Sequence, residues 1–282
     1  MSHTIILSWV TFIYFISFVL YLFRVIIGKE YWGRAASVMA WLGLAIHATA
    51  LLWRWKASYD LGIGHVPLAN LYESLIFFAW AIVASYLFVE WRIKSKAIGA
   101  FIMPLAFLAM AYASIVPGID NHIEPLIPAL QSNWLTTHVI TCFLGYAAFA
   151  VAFGCGILYL IKDRKNGDAE NIKGFWGRLP ALNVLESLIY QSSAIGFVFL
   201  TMGIMTGAIW AHYAWGSYWN WDPKETWSLI TWLIYAIMLH ARYIRGWRGR
   251  RLAWVALVGF AAVLFTYLGV NYLSGLHSYI KR

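Results

Sequence analysis

Eight long apolar runs, separated by short polar joints, organise the chain. They cover about residues 4–27, 35–55, 72–91, 97–116, 137–161, 191–213, 224–244 and 252–273. Each approaches or exceeds the roughly 20 residues that a helix needs to cross the hydrocarbon core. The pattern predicts an all-α, polytopic integral membrane helix bundle of about eight transmembrane helices. The first run has no small-residue cleavage site behind it and reads as an uncleaved span.

The polar joints alternate in charge. Arg24, Lys29 and Arg34 occupy the first; Arg92, Lys94 and Lys96 the third; Lys162, Arg164, Lys165, Lys173 and Arg178 the fifth; and Arg242, Arg245, Arg248, Arg250 and Arg251 the seventh. These are 16 of the 21 basic residues, and basic residues accumulate on the cytoplasmic side. The joints with Arg54, Lys56 and Lys224, together with Lys281 and Arg282 at the end, then face outward, so both termini are expected outside. Composition agrees: 62% of residues are hydrophobic, 12% are charged and the mean hydropathy is +0.67, too apolar for a soluble surface. The net charge of +9 becomes a topology signal, and no nucleic-acid partner is implied.

No linker or repeat divides the chain, so residues 1–282 are expected to form a single membrane domain. Two joints are long. The outer one, Pro117 to Thr136, holds three prolines and reads as loop with one short helix. The inner one, residues 162–190, starts polar and becomes amphipathic from Leu179 to Tyr190, with Leu182, Leu185, Leu188 and Ile189 at helical spacing. It predicts a helix lying along the cytoplasmic interface. A third segment, Gly62 to Ser74, reads as a turn with Asn70 capping the third span and Glu73 at its N3 position.

Candidate chemistry gathers on the outer side. Between the sixth and seventh spans runs Trp215-Gly-Ser-Tyr-Trp-Asn-Trp-Asp-Pro-Lys-Glu-Thr-Trp227, with Trp215, Tyr218, Trp219, Trp221 and Trp227 in 13 positions. An interfacial aromatic belt explains two or three such residues. A planar apolar ligand explains the density better, and haem is the obvious candidate. Asp222, Pro223 and Glu225 have helix-start spacing, which favours capping over ligand contact for the Asp222 carboxylate. Arg54, Lys56 and Lys224 are the outer cations available to propionates. The only cysteines, Cys142 and Cys155, lie roughly 20 Å apart along one helix and cannot bridge. With no Cys-x-x-Cys, any haem is held without covalent attachment.

Imidazole is a common axial ligand of haem iron, and six of the eight histidines lie near the outer face: His3, His65, His122, His138, His212 and His277. His138 opens the fifth span and His277 follows the eighth, so the two could face each other across the loop; spacing alone does not choose them over His212 or His122. His240 lies roughly 24 Å deeper, near Arg242, and an intramembrane imidazole is a functional candidate by default. His47 sits about 10 Å too high to be its partner, which leaves a ligand from another subunit. Gly145, Gly154, Gly156, Gly203 and Gly207 suit close helix packing and a channel equally.

These segments resemble the haem-handling membrane proteins that share a tryptophan-rich "WWD" loop. Among them the chain most resembles the CcsA, or ResC, family of the system II cytochrome c maturation pathway. The resemblance rests on the Trp215–Trp227 loop, on Gly64-His-Val-Pro-Leu-Ala-Asn-Leu-Tyr-Glu-Ser74, on His138 and His277 flanking the loop, and on Leu239-His-Ala-Arg242. It implies that His138 and His277 are axial ligands of an external haem b laid on residues 215–227. It also implies that His240 is one ligand of a transmembrane haem whose other ligand comes from a separate CcsB, or ResB, polypeptide. No role carries over to His65, His122 or His212. The function implied is haem export and presentation to the Cys-x-x-Cys-His motif of an apocytochrome c, as one component of a cytochrome c synthase complex, with thiol-reducing maturation proteins as further partners. The membrane implied is the bacterial cytoplasmic membrane, with the thylakoid as the alternative. Two competing readings are a CcmC-like protein that hands haem to a chaperone, and a transporter or quinone-binding subunit whose tryptophans are only a belt.

Overall fold

The computed structural model describes residues 3–165 and 176–273. Eight α-helices carry the fold: α1 His3–Ile27, α2 Glu30–Asp60, α3 Leu71–Ile93, α4 Gly99–Ile115, α5 Asn133–Lys165, α6 Leu182–Trp215, α7 Pro223–Arg245 and α8 Arg250–Tyr267. No strand occurs among the described residues. Six of these helices are long and apolar enough to cross a membrane, and α4 is a shorter apolar helix. The protein is therefore a polytopic helical membrane protein. α7 has the length but is less apolar than the others, because Thr226, Thr231, His240 and Arg242 interrupt it.

The chain divides into two compact units, although its hydropathy pattern carries no boundary. The first comprises Met1–Ile127 and Ile161–Ala181, the second Pro128–Leu160 and Leu182–Arg282. The chain passes between the units three times, after Ile127, after Leu160 and after Ala181, and the second passage falls inside α5, a continuous apolar helix, where no shift in composition marks it.

In the first unit α1 and α2 run antiparallel with complementary stripes. α2 turns inward Gly33, Ala36, Ala40, Gly43, His47, Ala50, Arg54 and Ser58, a seven-residue repeat of mostly small residues. Against it α1 sets Leu7, Val10, Tyr14, Ser17, Tyr21 and Val25. Small residues let membrane helices approach closely, which supplies the van der Waals contact that lipid cannot. A Cβ on Gly43 would stand 2.8 Å from the Tyr14 ring.

Polar groups inside this unit are satisfied across helices. The Glu90 carboxylate accepts hydrogen bonds from Tyr21 (2.6 Å), Tyr86 (2.5 Å) and Ser37 (2.5 Å), so α1, α2 and α3 meet on one acid. Arg54 corrects the expectation of an outer cation open to propionates. It is 0% exposed and donates to Glu73 at 2.8 Å, to the Asn121 and His122 carbonyls at 2.8 and 3.0 Å, and to His3 Nε2 at 3.0 Å. A guanidinium is too costly to bury alone and is retained where every face finds an acceptor.

The predicted interfacial helix is not separate. Trp176–Arg178 forms one 3-10 turn, and α6 then runs unbroken from Leu182 through Tyr190. Leu185, Leu188 and Ile189 are buried in the core of the second unit. Ser192 and Ser193 lie buried, and the helix continues through them. The turn before it belongs to the first unit: Arg178 donates to the Val25 and Ile26 carbonyls at the end of α1, and Lys162 to those of Leu179 and Pro180. The Arg178 bonds satisfy carbonyls that the end of α1 leaves open.

The second unit is held by a seam of glycines between α5 and α6. A Cβ on Gly145 would meet the Gly196 carbonyl at 3.1 Å, one on Gly203 the Cys142 sulfur at 2.5 Å, and one on Gly207 the His138 ring at 2.5 Å. Close packing accounts for these glycines. Further in, Phe149 stacks on Tyr235 with ring centroids 3.6 Å apart, and Thr231 of α7 pairs with Thr266 of α8 at 3.1 Å.

Candidate functional site

The loop between α6 and α7 is built by two helix ends. α6 stops where Gly216 takes φ +77° and its N–H bonds back to the His212 carbonyl at 2.8 Å, the usual left-handed glycine stop. α7 starts with a full capping box: Asp222 accepts from the first-turn N–H groups, including Lys224 N–H at 2.8 Å, and Glu225 reaches back to the Asp222 N–H. Pro223 fills the first helical position. Asp222 is buried, and its carboxylate makes the cap that the sequence spacing favours.

The same glutamate shapes the loop. Glu225 Oε2 also accepts from Asn220 N–H at 2.7 Å, and Thr226 donates to the Trp221 carbonyl at 3.3 Å. Between these bonds Trp221 is held at φ +56° with 68% of its surface exposed. A bulky residue in the left-handed region is strained, and such strain persists only where the surroundings over-determine it. The bonds on both sides do so, and they project an indole outward.

The other aromatics are placed individually. Trp219 is half-buried, edge-on to Trp221 at 5.7 Å, and its indole N–H is buried without an acceptor among the described residues. Tyr218 is exposed and lies flat on His212, ring centroids 4.3 Å apart and 6° from parallel. Trp215 meets Trp210 edge-on at 4.7 Å. Trp227 packs on Phe265 at 4.2 Å, and its carbonyl accepts from Thr231 and Thr266, so it ties α7 to α8.

His138, half-buried on the first turns of α5, joins this aromatic group through Trp210. The two rings are 17° from parallel with centroids 6.2 Å apart. Trp210 was not singled out by the sequence: it is 2% exposed, and its N–H donates to the Ala129 carbonyl at 2.8 Å. Nothing in the pattern separates it from the other sixteen tryptophans. His138 Nδ1 lies 2.7 Å from the Gly203 carbonyl, which can only accept. Nδ1 is therefore the N–H, and the lone pair of the neutral ring belongs to Nε2. Gly207 makes this approach possible, since any side chain there would strike the ring. Cys142 Sγ lies one turn further along α5, 3.6 Å from Nδ1.

The remaining predicted residues divide. His277 lies outside the described residues. His240 is exposed on α7, on the face that carries the exposed Leu233, Ile237 and Ile244. His47, in the first unit, is 0% exposed and pairs with Tyr14 at 3.1 Å. His65 is buried with its two ring nitrogens at the Val66 and Glu124 carbonyls, and His122 is exposed beside Asp120. Asp120 is held below the usual carboxylate range by the His122 N–H and imidazole that bond it. Lys56 is exposed. Lys224 is not exposed.

Residues 68–277 match the family model for the cytochrome c assembly protein. Three relatives illustrate the likeness, each a protein called cytochrome c biogenesis protein CcsA. That of Heterosigma akashiwo is 44% identical over 261 residues, covering 81% of this chain and 80% of its own length. That of Chlamydomonas reinhardtii is 45% identical over 235 residues, 81% of this chain and 64% of its own. That of Prochlorococcus marinus is 41% identical over 255 residues, 81% and 79%. Among solved structures, cytochrome c haem lyase CcmF superposes with a TM-score of 0.70 at 18% identity. That match takes in 95% of this chain but about half of the other, 47%, and at such identity the likeness is one of fold.

Proposed function

The chain belongs to the cytochrome c assembly protein family, and on that premise we propose that it carries haem b across the membrane and presents it on the outward 215–227 loop for attachment to apocytochrome c. The observation that carries this reading is the His138 imidazole. A ring that gives its Nδ1 proton to a backbone carbonyl offers its other nitrogen as a metal ligand, the arrangement usual for ligating histidines. Trp210 lies beside it and Trp215 meets Trp210 edge-on, and in the adjoining loop the Trp219 indole N–H has no acceptor among the described residues. This donor set fits haem: one directed imidazole, aromatic faces, and a buried donor for a polar group of the ligand. The second axial imidazole is assigned to His277.

Haem supplies the vinyl groups that accept the apocytochrome thiols, and the protein's part is binding and orientation. Gly203 and Gly207 fix the His138 ring. The Asp222–Glu225 cap and the strained Trp221 hold the loop in one shape, so its indoles need no reordering when the ligand arrives. Asp222 acts through the cap. Tyr218 and His212, stacked on one another, border the loop.

The exposed His240 supports a second ligand site completed by another polypeptide. An imidazole amid Leu233, Ile237 and Ile244 is expensive to leave facing lipid. A CcsB-type partner that packs on this face would supply the other ligand. The basic residues at the other end of α7 favour the cytoplasmic side for His240 and the outer or lumenal side for the loop.

Visible spectra of the detergent-purified protein, alone and with its CcsB-type partner, test the reading. A six-coordinate b-type haem spectrum lost in His138→Ala and His277→Ala is the expected result, with partner-dependent loss in His240→Ala. Protein free of haem even when co-expressed with the partner would refute it and leave the tryptophans as an interfacial belt.

A further inference from the structure

α6 brings Gly203 and Gly207, one turn apart, against Cys142 and His138, and Thr206 lies between them in the chain. Helix geometry gives the Gly203 carbonyl one partner, the N–H four residues on. It takes two more. His138 Nδ1 donates to it from α5 at 2.7 Å, and the Thr206 hydroxyl donates to it at 3.1 Å. The same hydroxyl reaches the Met202 carbonyl at 2.8 Å, so its single hydrogen is divided between two carbonyls.

A carbonyl oxygen has two lone pairs, and here three donors draw on them. Donors that share one acceptor weaken one another, because each reduces the electron density left for the rest. A helical threonine commonly bonds to the carbonyl four residues back, which Met202 provides. The Gly203 contact is additional, and it falls on the acceptor of the imidazole proton. The neighbouring sulfur is no substitute: Cys142 Sγ is 3.6 Å from Nδ1, and sulfur accepts weakly. The His138 proton therefore rests on a carbonyl whose capacity is divided.

We infer that Thr206 is a positioning residue that limits the basicity of His138 and so raises the reduction potential of haem iron held there. The inference rests on the haem-presenting reading of the loop, and it adds a residue of α6 that acts on the iron only through its ligand. An undivided Nδ1–H to carbonyl bond pushes electron density into the ring and makes Nε2 a stronger ligand. A stronger donor stabilises ferric iron more than ferrous iron, and hydrogen bonding behind the ligand is thus one lever on the potential. By drawing on the Gly203 carbonyl, the Thr206 hydroxyl weakens that push. The electron that reduces the iron comes from an external one-electron donor, and Thr206 transfers neither electron nor proton.

The test is a spectroscopic redox titration of the haem-loaded protein with its partner, using dithionite and ferricyanide with mediators. Thr206→Val keeps the shape and removes the hydroxyl, and Thr206→Ser keeps the hydroxyl. Thr141→Val removes a hydroxyl that bonds instead to the backbone carbonyl of His138, at 3.0 Å. In Thr206→Val the ferrous-to-ferric ratio at a fixed potential is expected to fall about twofold, a shift of about 18 mV at 59 mV per tenfold, with the six-coordinate spectrum intact. Thr206→Ser and Thr141→Val are expected to titrate as the parent protein. A midpoint in Thr206→Val that is unchanged or raised overturns the inference. An equal fall in Thr206→Ser overturns it too, because packing would then be the cause, and so does an equal fall in Thr141→Val, which would reflect local polarity alone. Haem lost from Thr206→Val also overturns it, since the hydroxyl would then secure the ligand without tuning it. Failure of the haem-presenting reading is distinct, since the parent protein itself would carry no haem.

Discussion

Replacement of Glu73 by leucine leaves the Arg54 guanidinium 0% exposed and without the carboxylate 2.8 Å from its Nε. The remaining acceptors, two carbonyls and His3 Nε2, are neutral. Breaking a buried ion pair by removal of one partner costs about 3–5 kcal/mol. Glu73 also accepts from Ala69 N–H at 2.8 Å, and loss of that bond adds about 1 kcal/mol. A total of about 4–6 kcal/mol raises the unfolded fraction roughly a thousandfold or more. The double variant Arg54→Met with Glu73→Leu removes the uncompensated charge, and a well-packed apolar replacement of a buried pair is often neutral. It should therefore be more stable than Glu73→Leu alone. Thermal unfolding in a fixed detergent, followed by tryptophan fluorescence, measures all three. A Glu73→Leu variant within about 1 kcal/mol of the parent would refute the argument, as would a double variant less stable than the single one.

Three other outcomes follow from the site. Gly207→Leu drives a side chain into the His138 ring, at a cost of about 1–3 kcal/mol for overpacking; haem spectra of the purified variant should lose the six-coordinate form, and an unaltered spectrum would contradict the placement of that ring. Trp221→Gly relieves a left-handed strain of about 1 kcal/mol, so its melting temperature should rise while haem retention in detergent falls; a lower melting temperature would show that the indole packs. Asp222→Ala should cost about 0.5–2 kcal/mol in thermal stability for the lost cap and Asp222→Asn much less, since asparagine caps equally well. If Asn and Ala lose haem alike at equal stability, the carboxylate touches the ligand.

The apolar runs announced the helices because lipid demands about the same length and apolarity of every span. The tryptophan loop was legible because its density exceeds what an interface needs, and the Asp222 and Asn70 caps because capping is local chemistry. Long-range partners were not legible. Arg54 looked like one more outer cation, and only the fold brings Glu73 and the 121–122 carbonyls around it. Trp210 became part of the site through its position beside His138, a contact between α5 and α6 that spacing does not encode. The amphipathic stretch before Tyr190 has the same period on a membrane surface or in a packed bundle, so its pattern could not distinguish an interfacial helix from the start of α6.

Glu90 has a consequence for how the chain enters the membrane. Its carboxylate depends on hydroxyls from α1, α2 and α3, and it lies three residues before the end of α3, where lipid alone would leave the acid without partners. α1 and α2 are made first, and their Tyr21 and Ser37 stand ready as α3 arrives. The order of synthesis thus supplies the solvent that this acid needs, and a circular permutation that placed α3 before α1 would have to insert it bare.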